Sequence, residues 1–153
     1  MKKVIITAGG TSEKIDNVRK ITNSSSGKLG MIIAEHLLEE NDDSFIYYVC
    51  SKGSFRPTHE RVKVIEIEGT VDLRNKLEYL LITEDIDYCI HSMAVSDYMT
   101  DYVTTIERIK QSIEKENDLD KAFKVVDNIT GSKISSDENN LVIVLKPTPK
   151  IIS

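Results

Sequence analysis

Short apolar runs alternate along this chain with stretches whose apolar residues recur at helical spacing, and that alternation restricts the folds open to it. Val4-Ile5-Ile6-Thr7-Ala8 stops at Gly9-Gly10, as a buried strand does on entering a tight turn. Met31, Ile32, Ala34, Leu37 and Leu38 then mark an amphipathic helix from about residue 27 to 40. Residues 45–50 and 62–67 read as a second and a third strand. Thr70 caps a helix carrying Val71, Leu73, Leu77, Leu80 and Leu81, and residues 88–92 form a fourth strand. Thr104 and Glu107 make a capping box for a helix bearing Ile106, Ile109 and Ile113. Residues 117–140 are polar and weakly periodic and read as a loop or flap, followed by a fifth strand at 141–145. Parallel neighbours need crossover connections, and helices supply them. The expected fold is therefore α/β: a Rossmann-like doubly wound, mostly parallel sheet with helices on both faces and a flexible flap, in one domain over residues 1–153.

Charge narrows the ligands. With 25 acidic against 20 basic residues the net charge is -5, which argues against nucleic acid as partner but leaves small phosphorylated ligands open. Cys50 and Cys89 both lie in apolar runs and read as small buried hydrophobes. No stretch reaches the roughly 18 apolar residues of a membrane span, which implies a soluble, cytoplasmic chain with no membrane partner.

Sheets of this kind hold ligands beyond the carboxyl ends of their strands, so chemistry is expected after Ala8, Ser92 and Leu145. Ser24-Ser25-Ser26-Gly27-Lys28 immediately precedes the first helix, where unpaired amides and the positive end of the helix dipole can meet an anion. A serine N-cap in a plain loop is an equal reading of these residues. Two known phosphate motifs do not fit. A P-loop has glycine where this chain has Thr22 and Ser or Thr where it has Leu29. The dinucleotide fingerprint needs spaced glycines that Gly9-Gly10-Thr11-Ser12-Glu13 lacks. Asn23 by itself reads as a turn-forming residue, and His91 as a packed, hydrogen-bonded strand histidine.

Ile6-Thr7-Ala8-Gly9-Gly10-Thr11, Ile15-Asp16, Val18-Arg19, Ile21-Thr22-Asn23 and Ser25-Ser26-Gly27-Lys28-Leu29-Gly30 together resemble the opening signature of the phosphopantothenate–cysteine ligases, in order and spacing. Ser92-Met93-Ala94-Val95-Ser96-Asp97-Tyr98 is similar to a second motif of that family, with Met93 in a place where alanine is common and where it would narrow a base pocket. Gly131-Ser132-Lys133-Ile134 and Lys146-Pro147-Thr148-Pro149-Lys150 resemble two later segments.

The resemblance implies a coenzyme A biosynthesis ligase that joins 4'-phosphopantothenate to cysteine through an acyl-nucleotide, with CTP, or alternatively ATP, and Mg2+. It implies that Asn23 acts on the acyl intermediate and that Lys133 meets the triphosphate. Gly9, Gly10, Ser25, Ser26, Gly27 and Lys28 would hold phosphate, and Ala94 and Asp97 would lie along the nucleotide. It further implies a homodimer, a C-terminal part not present here, and no FMN, because nothing in this chain precedes the ligase signature. Two other readings remain. One is a nicotinamide-dependent reductase using Tyr48 and Lys52, although on a strand that spacing separates the two by roughly 13 Å. The other is a non-catalytic nucleotide-binding domain.

Overall fold

The computed structural model describes residues 1–129, 131 and 133–152. Thr130 and Ser132, the latter in one of the family-like segments, lie outside the described residues. The elements in order are β1 (Lys2–Ala8), β2 (Ser12–Lys14), β3 (Lys20–Thr22), α1 (Lys28–Glu40), β4 (Ser44–Ser51), β5 (Val62–Ile67), α2 (Thr70–Thr83), β6 (Tyr88–His91), β7 (Tyr98–Thr105), α3 (Ile106–Glu116), α4 (Leu119–Val125) and β8 (Leu141–Pro147). They fall into two compact units. The first holds Met1–Glu13, Thr22–Asp97 and the segment from Thr148 onward; the second holds Lys14–Ile21 and Tyr98–Pro147.

The first unit is the expected parallel sheet, in the order β5-β4-β1-β6 with every pairing parallel. Alternate residues of β1 face opposite sides, so its continuous apolar run serves two cores. Val4, Ile6 and Ala8 pack with Ala34 and Leu38 of α1, whereas Ile5 packs with Leu73, Leu77 and Leu80 of α2. Arg61 closes the far end of α1 by donating to the Leu38 and Asn41 carbonyls at 2.8 and 2.6 Å, which gives acceptors of the last turn a partner. At the start of α2 the buried Glu13 carboxylate accepts from both the amide and the hydroxyl of Thr70, each at 2.7 Å. Thr70 is thus the first residue of the helix, and a side chain distant in sequence does the work of its cap.

Cys89 departs from expectation. It is exposed, whereas Cys50 is buried. In register with Ile5, it lies on the α2 side of β6, an edge strand, and there a cavity of about 550 Å³ opens beside Leu77 and Leu81.

The second unit corrects two expectations. The fifth strand does not extend the parallel sheet: β8 pairs antiparallel with β7, a strand that the sequence reading had not recognised. Tyr98–Thr105 is rich in β-branched and aromatic residues, and a strand there supplies β8 with an antiparallel partner. The helix cap is Thr105 rather than Thr104, its hydroxyl accepting from the Arg108 amide at 3.3 Å. The stretch 117–140, expected as a loop or flap, contains α4, capped by Asp118 and held to α3 by a 2.8 Å bond from the Ser112 hydroxyl to the Ala122 carbonyl.

Replacing Glu13 by alanine leaves the first amide of α2 without its buried acceptor. The expected cost is about 1–3 kcal/mol, read as a lower urea midpoint at constant slope. An unchanged midpoint would show that water substitutes fully for the carboxylate.

Candidate functional site

Two loops of the first unit meet beyond the carboxyl ends of β1 and β4. The serine turn precedes α1, and a second turn, 51–54, follows β4. They are tied together from beneath by Tyr48, a fully buried residue whose hydroxyl donates to the Phe55 carbonyl at 2.9 Å and reaches the Gly27 carbonyl at 3.3 Å. The Phe55 amide returns a bond to the Ser26 carbonyl at 2.9 Å. Burial pushes the Tyr48 phenol up to about 12, so the group is a neutral donor at every physiological pH. This also disposes of Tyr48 as the acid of a reductase pair: it is sealed in the core with its proton directed at main-chain oxygens.

The turn at the end of β1 closes the third side. Gly10 donates to the Ser51 hydroxyl at 3.2 Å, and the Asn23 amide donates to the Thr11 carbonyl at 3.0 Å. A Cβ on Gly10 would strike the Asn23 carbonyl, so the close approach of the two backbones requires glycine. Gly27 has φ 76° and occupies the N-cap position of α1, where it has no side chain to make a cap bond. The serines are therefore not the N-cap of that helix.

Between these walls lies an open cavity of about 390 Å³, lined by Gly10, Asn23, all three serines of the turn and Lys52, among others. Among the described residues the amides of Ser24, Ser25, Ser26 and Gly27 donate to no acceptor, and the Asn23 side chain makes no hydrogen bond. The self-bonded turn open to an asparagine is thus not formed. Of the expected phosphate residues, Gly10, Ser25 and Ser26 line the cavity together with Asn23. Gly27 is buried beneath, against Ser54, and Gly9 lies behind with its carbonyl taken by the Ala94 amide at 2.8 Å. The Lys28 amide reaches the Ser26 hydroxyl at 3.3 Å, but Lys28 does not line the cavity.

Ala94 and Asp97 sit on the other side of β1. Ala94 forms a parallel bridge with Gly10 and accepts from the Thr11 amide at 3.0 Å, and the Ser96 amide donates to the Thr11 hydroxyl at 2.9 Å, so this loop is stitched to the β1 turn. The exposed Asp97 carboxylate pairs with Lys150 at 2.9 Å beside a second cavity of about 190 Å³. An ion pair so open to water contributes little, and its groups remain accessible. Met93 is buried in the α2-side core. His91, as expected, is hydrogen-bonded, Nδ1 lying 2.8 Å from the Thr7 hydroxyl, and burial lowers its pKa.

Residues 1–144 match the family described as the DNA/pantothenate metabolism flavoprotein C-terminal domain. The chain belongs to this family. Over 151 residues it is 33% identical to the Coenzyme A biosynthesis bifunctional protein CoaBC of Thermococcus kodakarensis, covering 99% of this chain and 30% of that protein. The crystal structure of the DNA/pantothenate metabolism flavoprotein from Streptococcus pneumoniae superposes with a TM-score of 0.77 at 37% identity, over 99% of this chain and 62% of that one. A Cab2 mutant in complex with phosphopantothenate-cysteine shares the fold, with a TM-score of 0.66 at 16% identity over 97% of this chain and 57% of that one. The chain thus spans under a third of the first relative and under two thirds of both structures.

Two of the family-like segments meet in the second unit. Asp16, its carboxylate buried, accepts from the Val18 and Arg19 amides at 2.8 and 2.6 Å and from the Ile134 amide at 3.1 Å. Arg19 completes the clasp by donating to the Ile134 carbonyl at 3.3 Å. Ile134 is buried, while its neighbour Lys133 is exposed. A single carboxylate therefore anchors the residue beside the lysine that the resemblance singled out. The turn 51–54 was missed as a site element, although a lysine and glycine directly after a buried strand are a readable signal of one.

Tyr48→Phe removes one hydroxyl and takes the donor from the part-buried Phe55 carbonyl, while the Gly27 carbonyl keeps the Met31 amide at 3.1 Å. The expected loss is about 1–3 kcal/mol, seen as a lower thermal or urea midpoint; a variant as stable as the parent would mean that the loops are held by other contacts. The Ile134 amide bond, ahead of those from Val18 and Arg19, holds the Asp16 carboxyl below its ordinary value. Its stabilisation is complete above the ordinary aspartate range and is lost as pH falls through that lowered folded-state value. Hydrogen exchange at the Ile134 amide, extrapolated for intrinsic pH dependence, should accelerate in that acid range in the parent. Asp16→Asn should exchange quickly at every pH; equal protection in both proteins would contradict the clasp.

Proposed function

We propose that this domain carries the ligase chemistry of coenzyme A biosynthesis, joining 4'-phosphopantothenate to cysteine at the expense of a nucleoside triphosphate. The observation that carries the reading is the cavity beyond β1 and β4, lined by the serine turn and Asn23, whose turn amides and side-chain amide make no hydrogen bond among the described residues. Family membership and the phosphopantothenate-cysteine complex of a protein with the same fold support it.

A carboxylate does not acylate an amine at neutral pH, because oxide is a poor leaving group. In the proposed sequence the 4'-phosphopantothenate carboxylate attacks the α-phosphorus of CTP or ATP and expels pyrophosphate. The cysteine amine, as free base, then attacks the acyl carbon, releasing the nucleoside monophosphate and a proton as the amide forms. Neither step needs a covalent enzyme intermediate; the protein must align the reactants and neutralise charge. The Ser25, Ser26 and Gly27 amides take phosphoryl oxygens, Asn23 hydrogen-bonds the acyl intermediate, and Lys133 meets the triphosphate. Asp97 and the Ala94 backbone lie along the nucleotide. Mg2+ carried on the nucleotide's phosphates would neutralise their charge and would need few protein ligands. We read the working form as a homodimer.

Pyrophosphate release measured with CTP and with ATP, each with and without 4'-phosphopantothenate, tests the reading. Release that requires the acid supports it; binding of nucleotide with no release under any condition would leave only a nucleotide-binding domain. Asn23→Ala should slow amide formation far more than pyrophosphate release, because only the second step uses that contact. Lys133→Ala should slow pyrophosphate release itself at saturating nucleotide. Equal loss of both products in the Asn23 variant would end the proposed division of labour.

A further inference from the structure

A cavity that holds a phosphoryl group inside a protein of net charge -5 needs a local cation. The lysine expected there, Lys28, does not line it. Lys52 does. It stands at the tip of the turn after β4 and is exposed, and among the described residues it has no ion pair. The next cation along the chain, Arg56, is held by Glu66 at 2.7 Å. The turn beneath Lys52 is built: the Ser51 and Ser54 hydroxyls lie 2.7 Å apart, Ser51 accepts from the Gly10 amide, and Gly53 takes φ 84° with nothing packed over it. These contacts fasten the lysine-bearing turn to the β1 turn, opposite the undonated amides of the serine turn.

The position has a chemical meaning in sheets of this type. Where a doubly wound sheet binds NAD, the end of the second strand offers a carboxylate to the ribose hydroxyls. Here β4 is second in the parallel sheet after β1, and it runs into Ser51-Lys52-Gly53-Ser54, with no acid. The local chemistry is that of an anion site.

We propose that Lys52 is a substrate-binding residue that meets the β- and γ-phosphates of the nucleoside triphosphate across the cavity from the serine turn. This rests on the proposed function and adds a contact outside the family-like motifs. A compact ammonium on a flexible stem suits a polyphosphate that must leave as pyrophosphate, because it follows the charge without fixing one geometry.

Titration calorimetry on the full chain with CTP, CMP and inorganic pyrophosphate tests this, comparing the parent with Lys52→Ala, Lys52→Arg and, as a charge control, Lys76→Ala on the exposed face of α2. Loss of one charge-assisted bond should weaken CTP and pyrophosphate about tenfold in Lys52→Ala, with CMP changed less than twofold, Lys52→Arg near the parent and Lys76→Ala indistinguishable from it. Lys52 is exposed, so its variants are expected to keep the parent urea midpoint. Parent-like binding of CTP and pyrophosphate by Lys52→Ala, or an equal loss for CMP, overturns the role of Lys52 while leaving the cavity as a nucleotide site. Failure of the parent itself to bind pyrophosphate, CTP or ATP alike overturns both this proposal and the function on which it rests.

Discussion

One buried hydroxyl organises the carboxyl end of the sheet. Tyr48 belongs to β4, yet its proton is shared by carbonyls from two loops that are far apart in sequence, Gly27 before α1 and Phe55 after the 51–54 turn. The Gly27 carbonyl also accepts the Met31 amide of α1 at 3.1 Å, but the Phe55 carbonyl lies in an irregular loop, where a carbonyl withdrawn from water without a donor is costly. The phenol answers that need at the one depth where the sheet core meets the loops. Because burial suppresses its ionisation, the tie does not vary with physiological pH. Everything proposed for the cavity presumes that these walls stand at a set spacing.

The walls themselves divide the chemistry. The serine turn contributes amides that among the described residues have no acceptor; the turn after β4 contributes charge through Lys52; the β1 turn contributes backbone, kept slim by Gly10. The proposed acyl-activating ligase would have this requirement, since it must hold a polyanion tightly enough to orient it and release pyrophosphate afterwards. Fixed dipoles give orientation at no cost of reorganisation during the reaction, and one mobile cation gives affinity that can be relinquished. The loop from Ala94 to Asp97 has a different construction, sewn to β1 by main-chain bonds and ending in an exposed ion pair. In the second unit, Asp16 spends its carboxylate on main-chain amides at both ends of a long sequence separation, which turns a stretch of low periodicity into an anchored one.

The parallel sheet was legible because its strands are apolar on both faces and its helices on one, so period and run length separate them without ambiguity at β1, α1 and β4. The misreadings share a cause. β7 was hidden because Thr104 and Glu107 satisfied the pattern of a helix start, and strand propensity weighs little beside such a signal until a partner strand is known. β8 was then assigned to the wrong sheet, since an apolar run carries no mark of its neighbour's direction. Cys89 looked buried for the same reason: an apolar run does not reveal that its strand lies at an edge.

Residue identities alone settle the alternation of strands and helices, the family, and the serine turn as a feature in need of explanation, because these depend on neighbours along the chain. Folding decides which lysine lines the cavity, that among the described residues the Asn23 side chain makes no hydrogen bond, that Met93 is buried in the core, and that Asp16 reaches Ile134. Those outcomes depend on contacts between residues distant in sequence, and no local period or motif encodes the distance between two loops that a single tyrosine hydroxyl brings together.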